Sequence, residues 1–168
     1  GVRIYSYSVD RSTSKNIHPW VRDFETKVIR AEGCLRAALM LKNEGFTPDL
    51  VMAHMGWGES MFIKQVWPNA KIGIYCEFFY SPSATDVGFD PEFSEINPDF
   101  DACRVKLKNL NNFMHFEFAD FGVSPTAWQA STFPKSFQKK MHVIHDGIDT
   151  EKVRPDSKAT IKIKKKNG

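Results

Sequence analysis

The segment at residues 49–59, DLVMAHMGWGE, constrains the fold of this chain more than any other part of its sequence. An apolar run ends on His54, and a glycine-containing turn at residues 56–58 follows it. This pattern is typical of a strand-to-helix connection at the carboxyl edge of a parallel sheet, where α/β proteins bind their ligands. Two similar connections are predicted at residues 75–77 and 122–125. Together the three connections predict a ligand-binding edge of one sheet.

The predicted elements alternate between strands and helices. Strands are predicted at residues 2–9, 50–54, 71–76, 121–124 and 141–145. Helices are predicted at residues 21–42, 59–66, 101–119 and 126–133. The strand at residues 50–54 is nearly all apolar, which predicts that both of its faces are buried. The alternation predicts an α/β fold with a Rossmann-like parallel sheet flanked by helices.

One long loop interrupts this alternation. Residues 77–100 hold three prolines, two groups of acids and several aromatic side chains. A loop of this length inside a compact domain is usually functional or mobile. Acids beside aromatic rings are common in carbohydrate sites, but such residues also form small loop cores. Both interpretations of this loop stay open.

The composition is that of one soluble globular domain. The chain has 168 residues, of which 42% are hydrophobic. No apolar run reaches the roughly 18 residues that a membrane span needs. The three widely spaced cysteines, Cys34, Cys76 and Cys103, predict reduced thiols and no zinc site. These features predict a cytoplasmic protein.

The net charge of +3 is concentrated in the carboxyl-terminal tail. Residues 152–168 hold seven Lys/Arg and one acid, which leaves 16 basic and 19 acidic residues in the remainder. This mildly acidic remainder argues against nucleic acid as a partner. The tail is interpreted as a solvated lysine run, with peripheral contact to an anionic membrane as the alternative.

Five segments, in this order and spacing, resemble the amino-terminal half of family 4 (group 1) glycosyltransferases. They are AHMGWGESMF (53–62), GIYCEFFY (73–80), DVGFDPEF (86–93), ADFGVSPTAWQASTFP (119–134) and VIHDGIDT (143–150). Within the family, the chain resembles a bacterial subgroup with an HxGWGE signature. The resemblance implies a GT-B type enzyme with two Rossmann-like domains. Residues 1–150 would be a partial acceptor-side domain without the usual first strand and turn, and residues 151–168 a basic interdomain linker.

The resemblance implies a retaining hexosyltransferase that acts in cell-wall or polysaccharide biosynthesis. It would move a sugar from a nucleoside-diphosphate sugar to a carbohydrate or glycolipid acceptor, without a metal or another cofactor. The missing carboxyl-terminal domain would bind the donor, so the chain alone is expected to be inactive. Without its first strand, the sheet is expected to close the gap unusually or to cover exposed apolar surface in a homodimer.

The candidate catalytic residues, His54 and Glu77, end two of the predicted strands. His54 could bind hydroxyl groups of donor or acceptor, or it could pair with a loop carbonyl. Glu77 stands where many relatives have a histidine that contacts the transferred sugar. It is expected to orient the acceptor hydroxyl or to bind a donor hydroxyl. The alternative for Glu77 is a structural carboxylate paired with Arg104 or a lysine.

Further candidates surround these two residues. The candidate substrate-binding residues are Gly56, Trp57, Gly58, Glu59, Phe79, Tyr80, Asp86, Asp90 and Ser124, and the candidate hinge residues are His145, Asp146 and Gly147. The glycines would let backbone approach a ligand, although a tight turn also explains them. Trp57 would stack on a sugar or pack under the loop. Glu59 begins a predicted helix and could simply favour its dipole, while Ser124 could cap a helix.

Two other classes of function stay open. One is a non-catalytic α/β module that binds a carbohydrate or a protein. The other is a sugar-nucleotide epimerase, whose architecture also uses paired domains. A second α/β unit with two glutamates about one helix apart in the natural gene would favour the glycosyltransferase.

Overall fold

A computed structural model of the chain describes residues 1–82, 90, 92 and 97–163. These residues form one parallel sheet of four strands, in the order β1 (Leu50–His54), β2 (Lys71–Tyr75), β3 (Phe121–Ser124) and β4 (Met141–Val143). The helices are α1 (Arg22–Asn43), α2 (Ile63–Val66), α3 (Pro98–Lys108), α4 (Leu110–Phe118), α5 (Ala127–Thr132) and α6 (Lys135–Gln138). Short 3₁₀ turns lie at Pro19–Val21 and Met55–Trp57. The predicted Rossmann-like parallel sheet flanked by helices is confirmed.

The core lies on the middle of the sheet. Ile72 and Ile74 of β2 are fully buried, and Val66 of α2 and Phe116 of α4 pack in the same cluster. Burying one isoleucine side chain contributes roughly 1.5–3 kcal/mol. The parallel register pairs His54 of β1 with Tyr75 of β2. The carboxyl ends of these two strands therefore lie side by side, as the strand-to-helix connections predict.

Asp120, the residue before β3, fixes the other end of β2. Its Oδ2 accepts a 2.8 Å hydrogen bond from the backbone N–H of Ile72, and its Oδ1 accepts one of 2.9 Å from Lys71 Nζ. The Ile72 amide and the Lys71 ammonium hold the pKa of Asp120 below its ordinary value. This carboxylate ties the beginnings of two neighbouring strands together.

The strand prediction for residues 2–9 is wrong. The segment is in no strand and instead lies against α1 and the turn after β1. The Tyr5 hydroxyl donates to Glu44 at 3.1 Å, and the Tyr7 hydroxyl donates to Glu59 at 2.7 Å. The segment pairs with neither edge of the sheet, because its tyrosines bind acids at the end of α1 and in the turn after β1 instead.

The predicted burial of both faces of β1 is also wrong. Leu50 is 50% exposed and Met52 is 53% exposed, whereas Val51 and Ala53 pack on the core. β1 is an edge strand, and no helix covers the face that carries Leu50 and Met52 in the described residues. A continuous apolar run predicts a strand, but it does not tell an edge strand from a central one.

Two predicted helices differ from the structure. The helix predicted at residues 59–66 begins only at Ile63, because left-handed backbone at Gly58 turns the chain first. The helix predicted at residues 101–119 is divided into α3 and α4 at Asn109, whose side chain binds the loop backbone at Tyr80. The other predicted elements are confirmed, with small differences at their ends.

Candidate active site

His54, the last residue of β1, is held at the carboxyl edge of the sheet from two sides. Its Nδ1 accepts a 3.2 Å hydrogen bond from the backbone N–H of Gly56. An accepting Nδ1 leaves the proton of the neutral ring on Nε2, and this atom lies 3.4 Å from Oε2 of Glu77. In the described part of the chain, the partners of the His54 ring are thus the Gly56 amide and the Glu77 carboxylate, not the loop carbonyl considered above.

Glu77 stands two residues beyond the end of β2 and remains accessible. Its side chain is 62% exposed, and that of His54 is 44% exposed. Arg104, the alternative partner for Glu77, instead binds Asp101 at 2.5 Å. A pair of side chains this exposed adds little to stability. The His54–Glu77 pair therefore offers a donor and an acceptor to a ligand, and the fold does not depend on it.

Tyr75, the last residue of β2, completes this cluster. Its ring stacks on that of His54, with centroids 5.4 Å apart and planes at 26°. Its hydroxyl donates a 2.7 Å hydrogen bond to Oδ2 of Asp146. This hydrogen bond raises the pKa of Tyr75 to about 12, because loss of the proton would bring two negative oxygens together. Tyr75 thereby connects His54 to the turn after β4.

A cavity of about 40 Å³ opens beside the His54–Glu77 pair. Its lining comes from the sheet edge and from three helices: Lys27, His54, Met55, Gly56, Tyr75, Glu77, Phe78, Tyr80, Lys108, Asn111 and Asn112. This space can admit a water molecule or a hydroxyl group. Lys27 pairs with Asp23, and Lys108 Nζ lies 3.6 Å from the centroid of the Tyr80 ring. The mixture of donors and acceptors is suited to a polar ligand with hydroxyl groups.

The glycine turn after β1 has a structural cause at Gly58. This residue has a φ of +91°, in the left-handed region that favours glycine. A Cβ at Gly58 would lie 2.6 Å from Cβ of Lys27 and 2.8 Å from its carbonyl oxygen. Close packing against α1 therefore requires the glycine without any ligand. Gly56, in contrast, lines the cavity.

Trp57 and Glu59 line a second cavity of about 350 Å³ beside β1. Trp57 is 61% exposed, and the guanidinium carbon of Arg30 lies 5.0 Å from its ring centroid. Glu59 accepts a hydrogen bond from Tyr7 at 2.7 Å and lies 3.5 Å from Arg30 Nη1. The Glu59 carboxylate already has structural partners, and the helix that it was expected to begin starts later.

Buried polar groups of helix α4 bind both ends of the turn after β1, at Met55 and at Ser60. Asn111 Nδ2 donates to the carbonyl of Met55 at 2.5 Å. His115 Nδ1 lies 2.7 Å from the carbonyl of Asn111 and must donate to it. Nε2 of the neutral ring therefore accepts the 2.8 Å hydrogen bond from Ser60 Oγ. Burial lowers the pKa of His115, which preserves this neutral form.

The loop residues Phe79, Tyr80, Asp86 and Asp90 have different surroundings. Phe79 packs with the rings of Phe113, Phe133 and Phe137 and belongs to the core. Tyr80 lines the cavity. Asp90 is exposed and accepts a hydrogen bond from the backbone of Glu92. Asp86 lies outside the described residues, so its predicted role has no structural counterpart here.

Ser124 ends β3, and the predicted hinge residues follow the end of β4. Ser124 is fully buried, and Thr126 rather than Ser124 caps α5 by accepting from Gln129. After β4, His145 Nδ1 accepts a 3.0 Å hydrogen bond from the N–H of Gly147, whose φ is +83°. Asp146 accepts from Tyr75, as described above. These residues form a turn tied to β2, and their role as a hinge stays a prediction.

The cavity residues that the analysis of the sequence did not identify include Tyr75, Lys27, Lys108 and Asn111. Tyr75 directly precedes a candidate connection and could have been identified from its strand position. Three asparagines, at positions 109, 111 and 112, are an available signal in the third and fourth helices, because asparagine is a poor helix former. The two lysines carry no such signal, since lysines on helices usually face solvent.

Three further features concern metal binding, membrane spans and the cysteines. In residues 1–82, 90, 92 and 97–163, no three His, Cys, Asp or Glu side chains are grouped to hold a metal ion. The helices of these same residues include none with the length and apolar character to cross a membrane. Cys34, Cys76 and Cys103 are free thiols, in agreement with the prediction of reduced cysteines.

The sequence also has a family assignment. The chain matches no curated protein, but a family model described as "Glycosyl transferase family 4 group" matches residues 1–153. The matched region contains all four strands, the His54–Glu77 pair, the cavity and the turn after β4. The alternating strands and helices and the polar site at the sheet edge agree with this assignment. The chain therefore belongs to the glycosyl transferase family 4 group.

Proposed function

We propose that this chain forms the acceptor-side part of a retaining hexosyltransferase. The enzyme transfers a sugar from a nucleoside-diphosphate sugar to a carbohydrate or glycolipid acceptor and retains the anomeric configuration. Membership of the glycosyl transferase family 4 group supports the class of reaction, and it gives no support to a non-catalytic binding module. The observation that carries the proposal for this sheet edge is the accessible His54–Glu77 pair beside a polar cavity.

The pair supplies what hydroxyl binding requires. The His54 Nε2–H donates to one oxygen of the acceptor, while the Glu77 carboxylate accepts from the hydroxyl that attacks the anomeric carbon. Stacking on Tyr75 and the bond from Gly56 fix the histidine ring. Glycosyl transfer depends on the position of the attacking oxygen and on stabilisation of developing charge. Glu77 is thus a residue that orients the acceptor and polarises its hydroxyl.

The other candidates have supporting roles in this proposal. Gly56 and Tyr80 form part of the cavity wall. Trp57, which is 61% exposed, stacks on a sugar of the acceptor or on the partner domain. Asp86 and Asp90, from the long loop, contribute to acceptor recognition. The turn of His145, Asp146 and Gly147 serves as the hinge to the following domain.

The proposal includes a second domain. Residues 1–150 are the acceptor-side domain, and residues 151–168 are a basic linker to a donor-binding domain that holds the diphosphate. This half needs no metal or other cofactor, and by itself it does not catalyse transfer. The HxGWGE signature at residues 54–59 supports a place in a bacterial subgroup that acts in cell-wall or polysaccharide biosynthesis.

Two surfaces suggest further partners. The exposed Leu50 and Met52 of β1 would be covered by another strand in a longer protein, and by homodimerisation in the chain alone. Light scattering that finds only monomer would contradict the homodimer. The basic tail of a cytoplasmic enzyme would be solvated; in the alternative, it would contact the inner face of the membrane, at about 1 kcal/mol for each Lys or Arg near anionic lipid.

A thermal-shift panel of nucleotide-sugars and free nucleotides tests the proposed function. The panel is applied to the full-length protein and, in parallel, to this chain. We expect stabilisation of the full-length protein by one nucleotide class, with no shift of this chain, because binding to the native state stabilises it. Absence of a shift in both would contradict a transferase. A shift in this chain would show that the donor site is assigned to the wrong half.

A further inference from the structure

Asn111, near the start of α4, has a buried atom that the proposed function does not use. The residue is 2% exposed. Its Oδ1 finds no hydrogen-bond partner within the described ranges, although its other side-chain polar atom is bonded. Burying an acceptor without a donor costs free energy, so most such atoms in proteins have a partner. An unpaired oxygen beside a candidate site therefore indicates a missing donor.

The orientation of the Asn111 carboxamide is fixed by its neighbour. Nδ2 donates to the Met55 carbonyl oxygen at 2.5 Å, and rotation of the amide would place two oxygens in contact. The backbone carbonyl of Asn111 accepts from His115, which fixes this part of the helix to Ser60 as well. Oδ1 is thus the one side-chain atom of Asn111 left to accept an external hydrogen bond.

The cavity beside Asn111 limits the chemistry of the missing donor. Its volume of about 40 Å³ leaves room for a hydroxyl group beside Asn111. A phosphate or carboxylate group is excluded, because it would bring acceptor oxygens to an acceptor. Lys27 and Lys108 are engaged with Asp23 and the Tyr80 ring.

We propose that Asn111 is a specificity-determining residue whose Oδ1 accepts a hydrogen bond from one hydroxyl of the acceptor carbohydrate. The hydroxyl enters the cavity between Asn111 and the His54–Glu77 pair. This inference rests on the proposed function, which places the acceptor at this sheet edge. It selects an acceptor with a neutral hydroxyl at that position over one with a phosphate or carboxylate.

An NMR titration of this chain tests the assignment. The probes are methyl hexosides of different configuration and, for each, the analogues that lack one hydroxyl. We expect the side-chain amide signals of Asn111 to shift with a hexoside that binds. The analogue without the recognised hydroxyl should bind on the order of tenfold more weakly, because the buried oxygen then stays unpaired. In the Asn111→Leu variant, hexoside and analogue should bind equally.

The control is Asn43→Leu, at the exposed end of α1, which should keep the discrimination. If Asn111→Leu fails to fold, the wild-type signals of the Asn111 amide still give the answer. A hexoside that binds without moving these signals, or discrimination that persists in Asn111→Leu, would overturn the inference and leave the proposed function standing. Failure of every hexoside to bind the wild-type chain would count against both.

Discussion

At the scale of single residues, the properties of the site depend on where each proton lies. His54 accepts at Nδ1 and presents Nε2–H toward Glu77, while His115 has the opposite arrangement and donates from Nδ1. The first ring is accessible and available to a ligand. The His115 ring is fully buried and binds Ser60 at the end of the turn after β1. The hydrogen-bond partners of each ring thus determine which of its nitrogens carries the proton.

His115 makes stability depend on pH. Burial lowers its pKa in the folded state, whereas the unfolded chain takes up the proton near the ordinary value of about 6.5. At pH values below this, the unfolded state binds more protons, so the free energy of unfolding falls. The contribution of neutral His115 to the free energy of unfolding is fully present above pH 6.5. It is lost as the pH falls toward the lowered pKa of His115 in the folded state.

Urea unfolding at several pH values between 5 and 8 measures this effect. The wild type and the variants have the same Asp and Glu residues, so the titration of these acids cancels when the profiles are compared. His115→Gln, which keeps an acceptor for Ser60, should show a weaker decrease below pH 6.5 than the wild type. His142→Gln, at an exposed position, should leave the decrease unchanged. Equal pH profiles for wild type and His115→Gln would show that His115 is not the titrating group.

The sequence predicted only some of the residues that lie at this site. The strand ends predicted His54 and Glu77, because parallel strands bring their carboxyl ends to one edge. Tyr80 and Gly56 also line the cavity. Asn111 lies in α4, which the sequence predicted as one continuous helix with α3. The periodicity of that segment does not indicate which side of the helix faces the sheet edge. Helix residues enter such a site through tertiary packing, which local pattern does not encode.

At the scale of elements, the turn between β1 and α2 shows how backbone geometry prepares the site. Gly58 reverses the chain in left-handed backbone, so the helix that follows begins only at Ile63. Helix α1 packs so closely on this turn that Lys27 contacts the place where a Cβ would stand. The turn is therefore positioned by α1 on one side and by α4 on the other.

Two glycines with similar backbone allow this packing to be measured. Gly45 and Gly58 have φ values of +88° and +91°, but a Cβ at Gly45 would meet nothing within 4 Å. Gly45→Ala should cost about 1–2 kcal/mol, from left-handed strain alone. Gly58→Ala should cost about 2–5 kcal/mol, because overpacking against Lys27 adds to the strain. Urea denaturation of both variants checks the difference, and equal costs would contradict the tight contact with α1.

The prediction of elements succeeded where burial and periodicity agree. β2 is flanked on both sides and buried at Ile72, Gly73 and Ile74, as its apolar run predicts. The prediction failed at residues 2–9 and at the outer face of β1, where the outcome depends on a neighbouring strand. Strand pairing is non-local, so the same β-rich sequence can pair or remain single.

At the scale of the whole molecule, the fold brings two distant connections to one place. His54 and Glu77 are separated by a helix and a strand in sequence but lie 3.4 Å apart, because β1 and β2 are parallel neighbours in register. Tyr75 connects this pair with Asp146 at the end of the sheet. The Tyr75 side chain therefore contacts both the turn after β4 and the His54 ring.

The central claim is that this sheet edge serves glycosyl transfer through Glu77. Its most direct test is the rate of transfer from nucleotide-sugar to acceptor by full-length protein with Glu77→Gln. Glu117→Gln, on the exposed side of α4, is the matched control. We predict a rate on the order of 100-fold lower for Glu77→Gln, typical of losing a group that assists proton movement, with Glu117→Gln unchanged. A Glu77→Gln enzyme as fast as the wild type would contradict the claim.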